Sequence, residues 1–319
     1  MVAASSGPLT AIDTRLYGGA TELRSSTAVS MWIALVGQSI RALSLVFVLL
    51  ATAALGRIGD ATNEDGRFIH REVSLGAQTF RYVVYVPKST AARLPILLYL
   101  HGAGAMGTDG AAQVSSGLAA AIRAKPNDFP MIVVFPQASE RWVTPRMERL
   151  ALATLDQSAS EFSADTNRTY IMGYSVGGAG AWRLAYLHPN RFAALVAIAG
   201  TVRSAPGLFS AGELAADVRT HAYLRAHNPF VALAARLRRL PISVYHGSED
   251  HIVPPGESRS IVVALRSLSS NVRFTEFPGV NHEGVLPKVL ADIRLNPWLL
   301  AQRRPASERR ILERQSRSR

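Results

Sequence analysis

The chain has 319 residues, of which 48% are hydrophobic and 18% charged, a composition typical of a globular protein and most simply of one large domain. It contains no cysteine, which excludes disulfide bonds, thiolate metal sites, a cysteine nucleophile and a lipid anchor attached through cysteine. The formal net charge is +12, but neither a helix-turn-helix pattern nor a basic stripe with interleaved aromatic residues occurs, so we expect no binding to nucleic acid.

The N-terminal region changes character at Met31. Residues 1–30 are rich in small and polar residues, and we expect them to be unstructured or, if Met31 is the true start, not translated. Residues 31–55 are mostly apolar, carry Arg41 and end in small residues, which is the layout of a secretory signal peptide. This predicts a periplasmic or secreted protein that is cleaved near Ala53. The alternatives are an uncleaved anchor over the same residues, which would keep the protein at a membrane, and a buried N-terminal helix.

The other end of the chain is strongly basic. Residues 303–319 carry seven arginines against Glu308 and Glu313, interspersed with Ser, Pro and Gln. This composition predicts a flexible, solvated tail. A solubilising role is the simpler interpretation, and adhesion to an anionic surface is the alternative.

Between these ends, residues 60–302 alternate strand and helix patterns. Residues 71–75 and 79–86 alternate polar and apolar side chains around a turn, which predicts a hairpin at the antiparallel edge of a sheet. Strands alternating with helices predict an α/β fold, with a mostly parallel central sheet and helices on both faces. Further strands are expected at 96–100, 131–135, 169–172, 194–199, 241–245 and 272–277, and helices at 111–124, 150–162 and 257–268. A further helical pattern runs through residues 182–187, after a stretch of small residues at 177–181.

The sequence from residue 169 to residue 178 contains the motif Gly-x-Ser-x-Gly centred on Ser175. An apolar run precedes the motif and a helical pattern follows it, so the stretch predicts a strand, a sharp turn and a helix. Gly173 and Gly177 lack a Cβ, which lets the strand and the helix approach closely around a strained serine. The helix directs its positive end to the place where negative charge develops during attack on a carbonyl. Ser175 is therefore the candidate nucleophile.

A glycine-rich loop, residues 101–110, follows the buried strand at 96–100. Backbone N–H groups in such a loop can point at a ligand, and the spacing matches neither a dinucleotide fingerprint nor a nucleotide-binding loop. We expect Gly102 or Ala103 to supply one donor of an oxyanion hole, and Val176, after the candidate nucleophile, to supply the other. His101 is interpreted as a structural hydrogen-bonding residue that shapes the loop.

Two later loops, each following a predicted strand, contain the candidate acid and base. Asp250 is preferred to Glu249 because neighbouring side chains in a tight loop point apart and the shorter side chain fits the turn. His282 is preferred to His251 because it follows the last strand, whereas His251 adjoins the acid. Both loops lie at the carboxyl ends of strands, the edge of a parallel sheet where ligands bind.

Two features near this edge remain open to two interpretations each. Residues 201–239 form a longer connection than a simple crossover needs, and they predict either a small cap over the site or a plain pair of packing helices. Trp142 follows the strand at 131–135, where it would lie at the rim of the site or pack at the domain surface.

The chain resembles the α/β-hydrolase superfamily, in particular bacterial serine esterases related to the carboxylesterase/phospholipase and prolyl-oligopeptidase-like groups. The resemblance covers residues 66–302 and rests on Leu100-His101-Gly102-Ala103-Gly104 with Gly107-Thr108-Asp109, on residues 168–178, on His188-Pro189-Asn190-Arg191-Phe192 with Ala199-Gly200, on His246-Gly247 with Asp250 and Val253-Pro254, and on His282. One departure is Ala105-Met106, where such relatives often carry charged residues.

The resemblance implies an α/β-hydrolase fold and hydrolysis of a small-molecule or lipid-like carboxylic ester. It implies an acyl-enzyme on Ser175, with Asp250 as acid and His282 as base, and no metal or organic cofactor. The alternatives are a peptidase or an acyltransferase that uses the same three residues, and a binding protein without activity on the same scaffold.

Overall fold

The computed structural model describes residues 66–89, 91–205 and 207–305. The expectations for residues 1–30 and 31–55, and for the tail beyond residue 305, therefore lie outside the described residues. Among the helices that are described, none has the length and apolar character needed to span a bilayer.

The described residues form an eight-stranded sheet in the order β1-β2-β4-β3-β5-β6-β7-β8. The hairpin β1-β2 is antiparallel and joins β4 in antiparallel fashion, and the strands from β4 to β8 are parallel to one another. This confirms the mostly parallel sheet with an antiparallel edge. The strands are β1 Arg67–Leu75, β2 Gln78–Val86, β3 Ile96–Leu100, β4 Ile132–Pro136, β5 Thr169–Tyr174, β6 Ala194–Ile198, β7 Ile242–Gly247 and β8 Val272–Phe277.

Helices cover both faces of the sheet, as expected. Successive side chains of β3 point to opposite faces, so that Leu98 lies in one apolar core while Leu97 and Tyr99 lie in the other. The first core is closed by α2, α3, α5 and α6, and the second by α1, α7 and α8. The helices are α1 Gly117–Ala124, α2 Pro145–Glu161, α3 Val176–Leu187, α4 Ala211–Thr220, α5 Pro229–Leu237, α6 Gly256–Ser267, α7 His282–Leu290 and α8 Leu295–Leu300.

Two helices begin elsewhere than the sequence predicts. The helix predicted from residue 111 begins only at Gly117, whose φ of 59° is not helical, and residues 112–114 form a separate 3-10 turn. The helix predicted from residue 150 begins earlier, at Pro145, a residue type favoured at the first helical position. Thr144 caps it by accepting a hydrogen bond from the N–H of Met147.

Candidate active site

Ser175 lies at the turn between β5 and α3. Its φ of 58° and ψ of −121° fall outside the regions that residues with a side chain normally occupy. Its N–H donates a hydrogen bond to the carbonyl of Ile198, the last residue of β6, at 2.9 Å. The strained backbone expected at this position is confirmed, and neighbouring strands hold it in place.

Glycine allows the strand and the helix to approach closely on either side of this turn. A Cβ added to Gly173 would lie 2.0 Å from the carbonyl oxygen of Gly177, and one added to Gly177 would lie 2.0 Å from that of Leu100. Both distances are far shorter than atoms tolerate. The close approach expected around the serine is therefore confirmed, and it brings the start of α3 against the end of β3.

The variant Gly173→Ala is expected to lose at least about 1–3 kcal/mol of its free energy of unfolding, because its Cβ would meet backbone atoms that cannot move aside. Urea unfolding measures this loss. Gly104→Ala is the matched control, since a Cβ at that position meets nothing within 4 Å. Equal unfolding midpoints for the two variants would contradict the close approach.

The structure brings the three candidate side chains together in one chain of hydrogen bonds. Nε2 of His282 lies 2.8 Å from Oγ of Ser175, and Nδ1 of His282 lies 2.7 Å from Oδ2 of Asp250. All three residues are buried. Such an arrangement can move a proton from a hydroxyl to an imidazole whose charged form is stabilised by a carboxylate.

Asp250 is held as a carboxylate by its surroundings. Burial alone would raise its pKa, but hydrogen bonds from His246, from His282 and from the N–H of Val253 keep the pKa well below its usual value. Oδ1 accepts hydrogen bonds from the N–H groups of Ile252 and Val253, at 2.9 and 2.8 Å. Oδ2 is thereby left facing His282.

The two residues that the sequence analysis set aside lie outside this chain of hydrogen bonds. Glu249 and His251 are both exposed, whereas Asp250 between them is buried. The three neighbours therefore differ in orientation as the tight loop predicts.

The start of α7 positions His282. Asn281 precedes the helix and caps it by accepting a hydrogen bond from the N–H of Gly284 at 3.0 Å. The ring of Tyr174 stacks on that of His282, with centroids 5.3 Å apart, and its hydroxyl donates to the carbonyl of His282 at 3.0 Å. Burial raises the pKa of Tyr174 to about 12, so this hydroxyl keeps its proton. The role of Tyr174 was not predicted from the sequence, although this residue directly precedes Ser175 in the motif.

Two of the three candidate oxyanion donors, Val176 and Ala103, are the first residues of helices, and the third, Gly102, directly precedes Ala103. Val176 begins α3, and Ala103 begins a 3-10 helix that follows Gly102. The first N–H groups of a helix have no acceptor within it, so they are free to bind a ligand. A Cβ added to Gly102 would lie 3.6 Å from the Cβ of Ser175, so this loop lies directly against the candidate nucleophile.

His101 fixes the shape of the glycine-rich loop. Its Nδ1 lies 2.7 Å from the carbonyl oxygen of Gly102, and its Nε2 accepts a hydrogen bond from the N–H of Ala138 at 3.0 Å. Because a carbonyl can only accept, Nδ1 carries the hydrogen and the ring is neutral. The pKa of His101 is lowered to about 4, mainly because the ring is buried. These contacts agree with a structural role.

Trp142 packs inside the domain, so both predicted positions, the rim of the site and the domain surface, are wrong. Its ring is buried, and its indole N–H donates to the carbonyl of His101 at 3.0 Å. A Cβ on Gly180 would lie 2.3 Å from the Cβ of Trp142, so the glycine in α3 makes room for this side chain. Trp142 therefore stabilises the start of the glycine-rich loop from within the domain core.

Residues 201–239 are tied to α3 by a buried ion pair that the sequence analysis missed. Arg183 in α3 is 1% exposed and binds Asp217 in α4 through two hydrogen bonds of 2.8 Å. The same guanidinium donates to the carbonyls of Thr201 and Arg203, in the loop after β6. These contacts are those of helices packed against the domain, the second of the two interpretations given above.

The loop after β6 is held from its other side by Glu257 in α6. Oε2 of Glu257 accepts hydrogen bonds from the N–H groups of Val202 and Arg203, at 2.9 and 3.0 Å. The loop directly follows the end of β6, where Ser175 makes its backbone hydrogen bond. Two buried charged groups, Arg183 and Glu257, therefore fix a segment that borders the site.

Comparison with known proteins agrees with this architecture. Residues 151–293 match the family model of the prolyl oligopeptidase family. A thermostable esterase of known structure is 25% identical, with a TM-score of 0.59 over 76% of this chain and 64% of its own. The acylaminoacyl peptidase of Pyrococcus horikoshii is 17% identical, with a TM-score of 0.57 over 76% of this chain and 42% of its own.

A thermostable esterase from Pseudomonas putida is 18% identical, with a TM-score of 0.54 over 78% of this chain and 86% of its own. The chain spans less than two thirds of the length of the first two structures. No curated protein is significantly similar to it in sequence.

Proposed function

We propose that this chain, which has an α/β-hydrolase fold, hydrolyses carboxylic esters through an acyl-enzyme on Ser175. The observation that carries the proposal is the chain of short hydrogen bonds from Ser175 through His282 to Asp250. It lies beside two helix starts whose N–H groups can bind an oxyanion. A nucleophile, a base, an acid and oxyanion donors are the parts that acyl transfer requires.

In the first half of the proposed reaction, Oγ of Ser175 attacks the ester carbonyl while its proton passes to Nε2 of His282. The carbonyl oxygen becomes an oxyanion, which the N–H groups of Val176 and Ala103 or Gly102 stabilise. Asp250 accepts a hydrogen bond from Nδ1–H of His282 and thereby stabilises the imidazolium. The oxyanion intermediate then collapses and its bond to the leaving-group oxygen breaks, while the imidazolium gives its proton to that oxygen, so that the alcohol leaves and the acyl-enzyme remains.

In the second half, water takes the place of the alcohol. His282 removes a proton from the water as it attacks the acyl carbonyl, and the oxyanion forms again beside the same donors. Collapse of this intermediate breaks the bond to Oγ of Ser175, which regains a proton from His282. The products are a carboxylic acid and the free enzyme.

Cleavage of a peptide bond by the same residues is the second candidate. It is favoured by the match of residues 151–293 to the prolyl oligopeptidase family and by the similarity to an acylaminoacyl peptidase. We favour esters because the first esterase described above is 25% identical to this chain, whereas the acylaminoacyl peptidase is 17% identical. A small-molecule or lipid-like ester is the proposed substrate class, and transfer of the acyl group to an acceptor other than water uses the same first half.

The test is reaction of the full chain with a fluorophosphonate, followed by mass spectrometry of the adduct. We expect a single adduct on Ser175 that is absent from Ser175→Ala, because the phosphonyl group reacts with an activated serine. The control is Ser74→Ala, which replaces an exposed serine in the edge strand β1 and should label like the wild type.

The same preparations are then tested with p-nitrophenyl acetate, butyrate and octanoate and with an N-acylated peptide anilide. Ester turnover that is lost in Ser175→Ala supports the proposal. Turnover of the anilide alone would favour the peptidase. A folded protein with neither label nor turnover would overturn both and leave the binding protein.

We further propose that residues 31–55 direct the chain out of the cytoplasm. The apolar run, Arg41 and the small residues at its end support this proposal. Cell fractionation followed by N-terminal sequencing tests it, and we expect a periplasmic or secreted form that begins near Ala54. An intact N-terminus in the membrane fraction would favour the anchor, and an intact, cytoplasmic protein would contradict export.

A further inference from the structure

A second histidine, His246, contacts the carboxylate that His282 uses. It lies in β7 and is fully buried. Its Nε2 lies 3.2 Å from Oδ2 of Asp250 and 2.8 Å from the carbonyl oxygen of Val253. Because a carbonyl can only accept, Nε2 carries the hydrogen and shares it between the two oxygens. Oδ2 of Asp250 thus faces an N–H group on each of two histidines.

The other nitrogen of His246 is also held. Nδ1 lies 2.7 Å from Oγ of Ser258 in α6, and both residues are buried. A hydroxyl can donate to a neutral ring or accept from a charged one. In either state of the ring the Nε2–H continues to face Asp250. Ser258 therefore fixes the orientation of His246, and His246 in turn contacts the acid.

Three other titratable residues lie near the rings of His246 and His282: Glu276, Tyr174 and Glu283. Glu276 lies beside His246 in the register of β7 and β8 and is engaged by Arg259. Tyr174 stacks on His282 and is neutral, since burial raises its pKa to about 12. Glu283 follows His282 and is exposed. Ser175, Asp250 and the carbonyl and N–H groups of Val253 complete the surroundings.

We propose that His246 is a positioning residue that holds Oδ2 of Asp250 toward His282 and withdraws negative charge from it. Negative charge on Asp250 stabilises the protonated form of His282, so an added N–H donor weakens that stabilisation. His246 therefore sets how readily His282 takes a proton, and with it the lower end of the pH range in which His282 can act as base. The inference rests on the proposed function, because only a base makes this property visible in turnover.

The test compares His246→Leu, which fills the space without an N–H group, with His246→Gln, whose amide can present an N–H group near the position of Nε2. The measurement is kcat/KM for ester hydrolysis against pH, with the full chain. We expect the ascending limb of His246→Leu to move to higher pH by roughly half a pH unit to one pH unit. The midpoint of the ascending limb of the His246→Gln profile should lie within about 0.2 pH unit of that of the wild type.

A second readout needs no turnover. The proton on Nδ1 of His282 is followed by NMR in protein labelled with ¹⁵N-histidine, and its titration midpoint should move in the same order. Movement of this midpoint in a protein without esterase activity would uphold the inference and reject the proposed function. A wild-type midpoint in folded His246→Leu, or an equal shift in His246→Gln, would overturn the inference.

Ser258→Ala covers the case in which His246→Leu fails to fold. This variant removes only the partner of Nδ1 and leaves the ring in place. We expect its limb and its NMR midpoint to move in the same direction as those of His246→Leu, but less far. Unchanged values in a folded Ser258→Ala, together with a shifted His246→Gln, would overturn the role of His246.

Discussion

Replacing Asp250 with asparagine is expected to lower kcat for ester hydrolysis by about 10⁴-fold with little change in the fold. Oδ1 of Asp250 accepts hydrogen bonds from the N–H groups of Ile252 and Val253, so the amide oxygen would occupy that position. The amide NH₂ would then face Nδ1 of His282. Nδ1 would have to accept, so the ring hydrogen would move to Nε2, where it faces the serine and blocks proton transfer.

The new NH₂ group would also face the Nε2–H of His246, which lies 3.2 Å from the present carboxylate oxygen. Two donors that face each other repel, which could destabilise the loop that carries residue 250. The melting temperature is therefore measured together with kcat, because a changed tautomer of His282 lowers kcat without lowering the melting temperature. Glu249→Gln is the matched control, because this neighbouring carboxylate is exposed and should leave kcat unchanged. A value for Asp250→Asn above about a tenth of the wild type would argue against this acid.

The parts of the site that sequence predicts are those whose own residues carry the signal. The strand expected at 96–100 coincides with β3, because five consecutive apolar residues are buried on both faces. Ser175, Asp250 and His282 each follow a strand, and the carboxyl ends of parallel strands share one edge of a sheet. Topology therefore brings together residues that are far apart in the chain.

The contacts that sequence analysis missed depend on which partner a side chain meets. His246 was noted as part of a motif, but only the fold shows that it shares the carboxylate of Asp250 with His282. Arg183 stands among apolar residues of α3, which is a signal of a buried cation, yet its partner Asp217 lies 34 residues away. No periodicity encodes such a distance, so the pair appears only when α4 packs on α3.

This buried pair leads to the largest expected loss of stability. Asp217→Ala is expected to lower the free energy of unfolding by about 3–5 kcal/mol, because Arg183 would remain buried without a counter-charge. The carboxylate also accepts hydrogen bonds from Ser204 and contacts Nδ1 of His221, so several polar groups lose their partner at once. Urea unfolding monitored by tryptophan fluorescence measures the loss.

The same pair makes stability depend on pH. Burial alone would raise the pKa of Asp217, but hydrogen bonds from His221 and Arg183 lower it to about 2. The pKa in the folded protein is thus below the value of about 3.9 in an unfolded chain. The contribution is complete above about pH 5 and is lost as the pH falls toward 2. In Asp217→Ala this part of the acid-induced loss should be missing.

A surface pair provides the control for burial. Asp156 in α2 forms an ion pair with Arg191, but its side chain is 56% exposed. Asp156→Ala should cost at most about 1 kcal/mol, because water screens and replaces the lost interaction. Arg183→Met combined with Asp217→Ala should cost less than the sum of the two single changes, since it removes the stranded charge. Equal losses for Asp217→Ala and Asp156→Ala would contradict a buried, paired Arg183, and the loop after β6 would then need another source of rigidity.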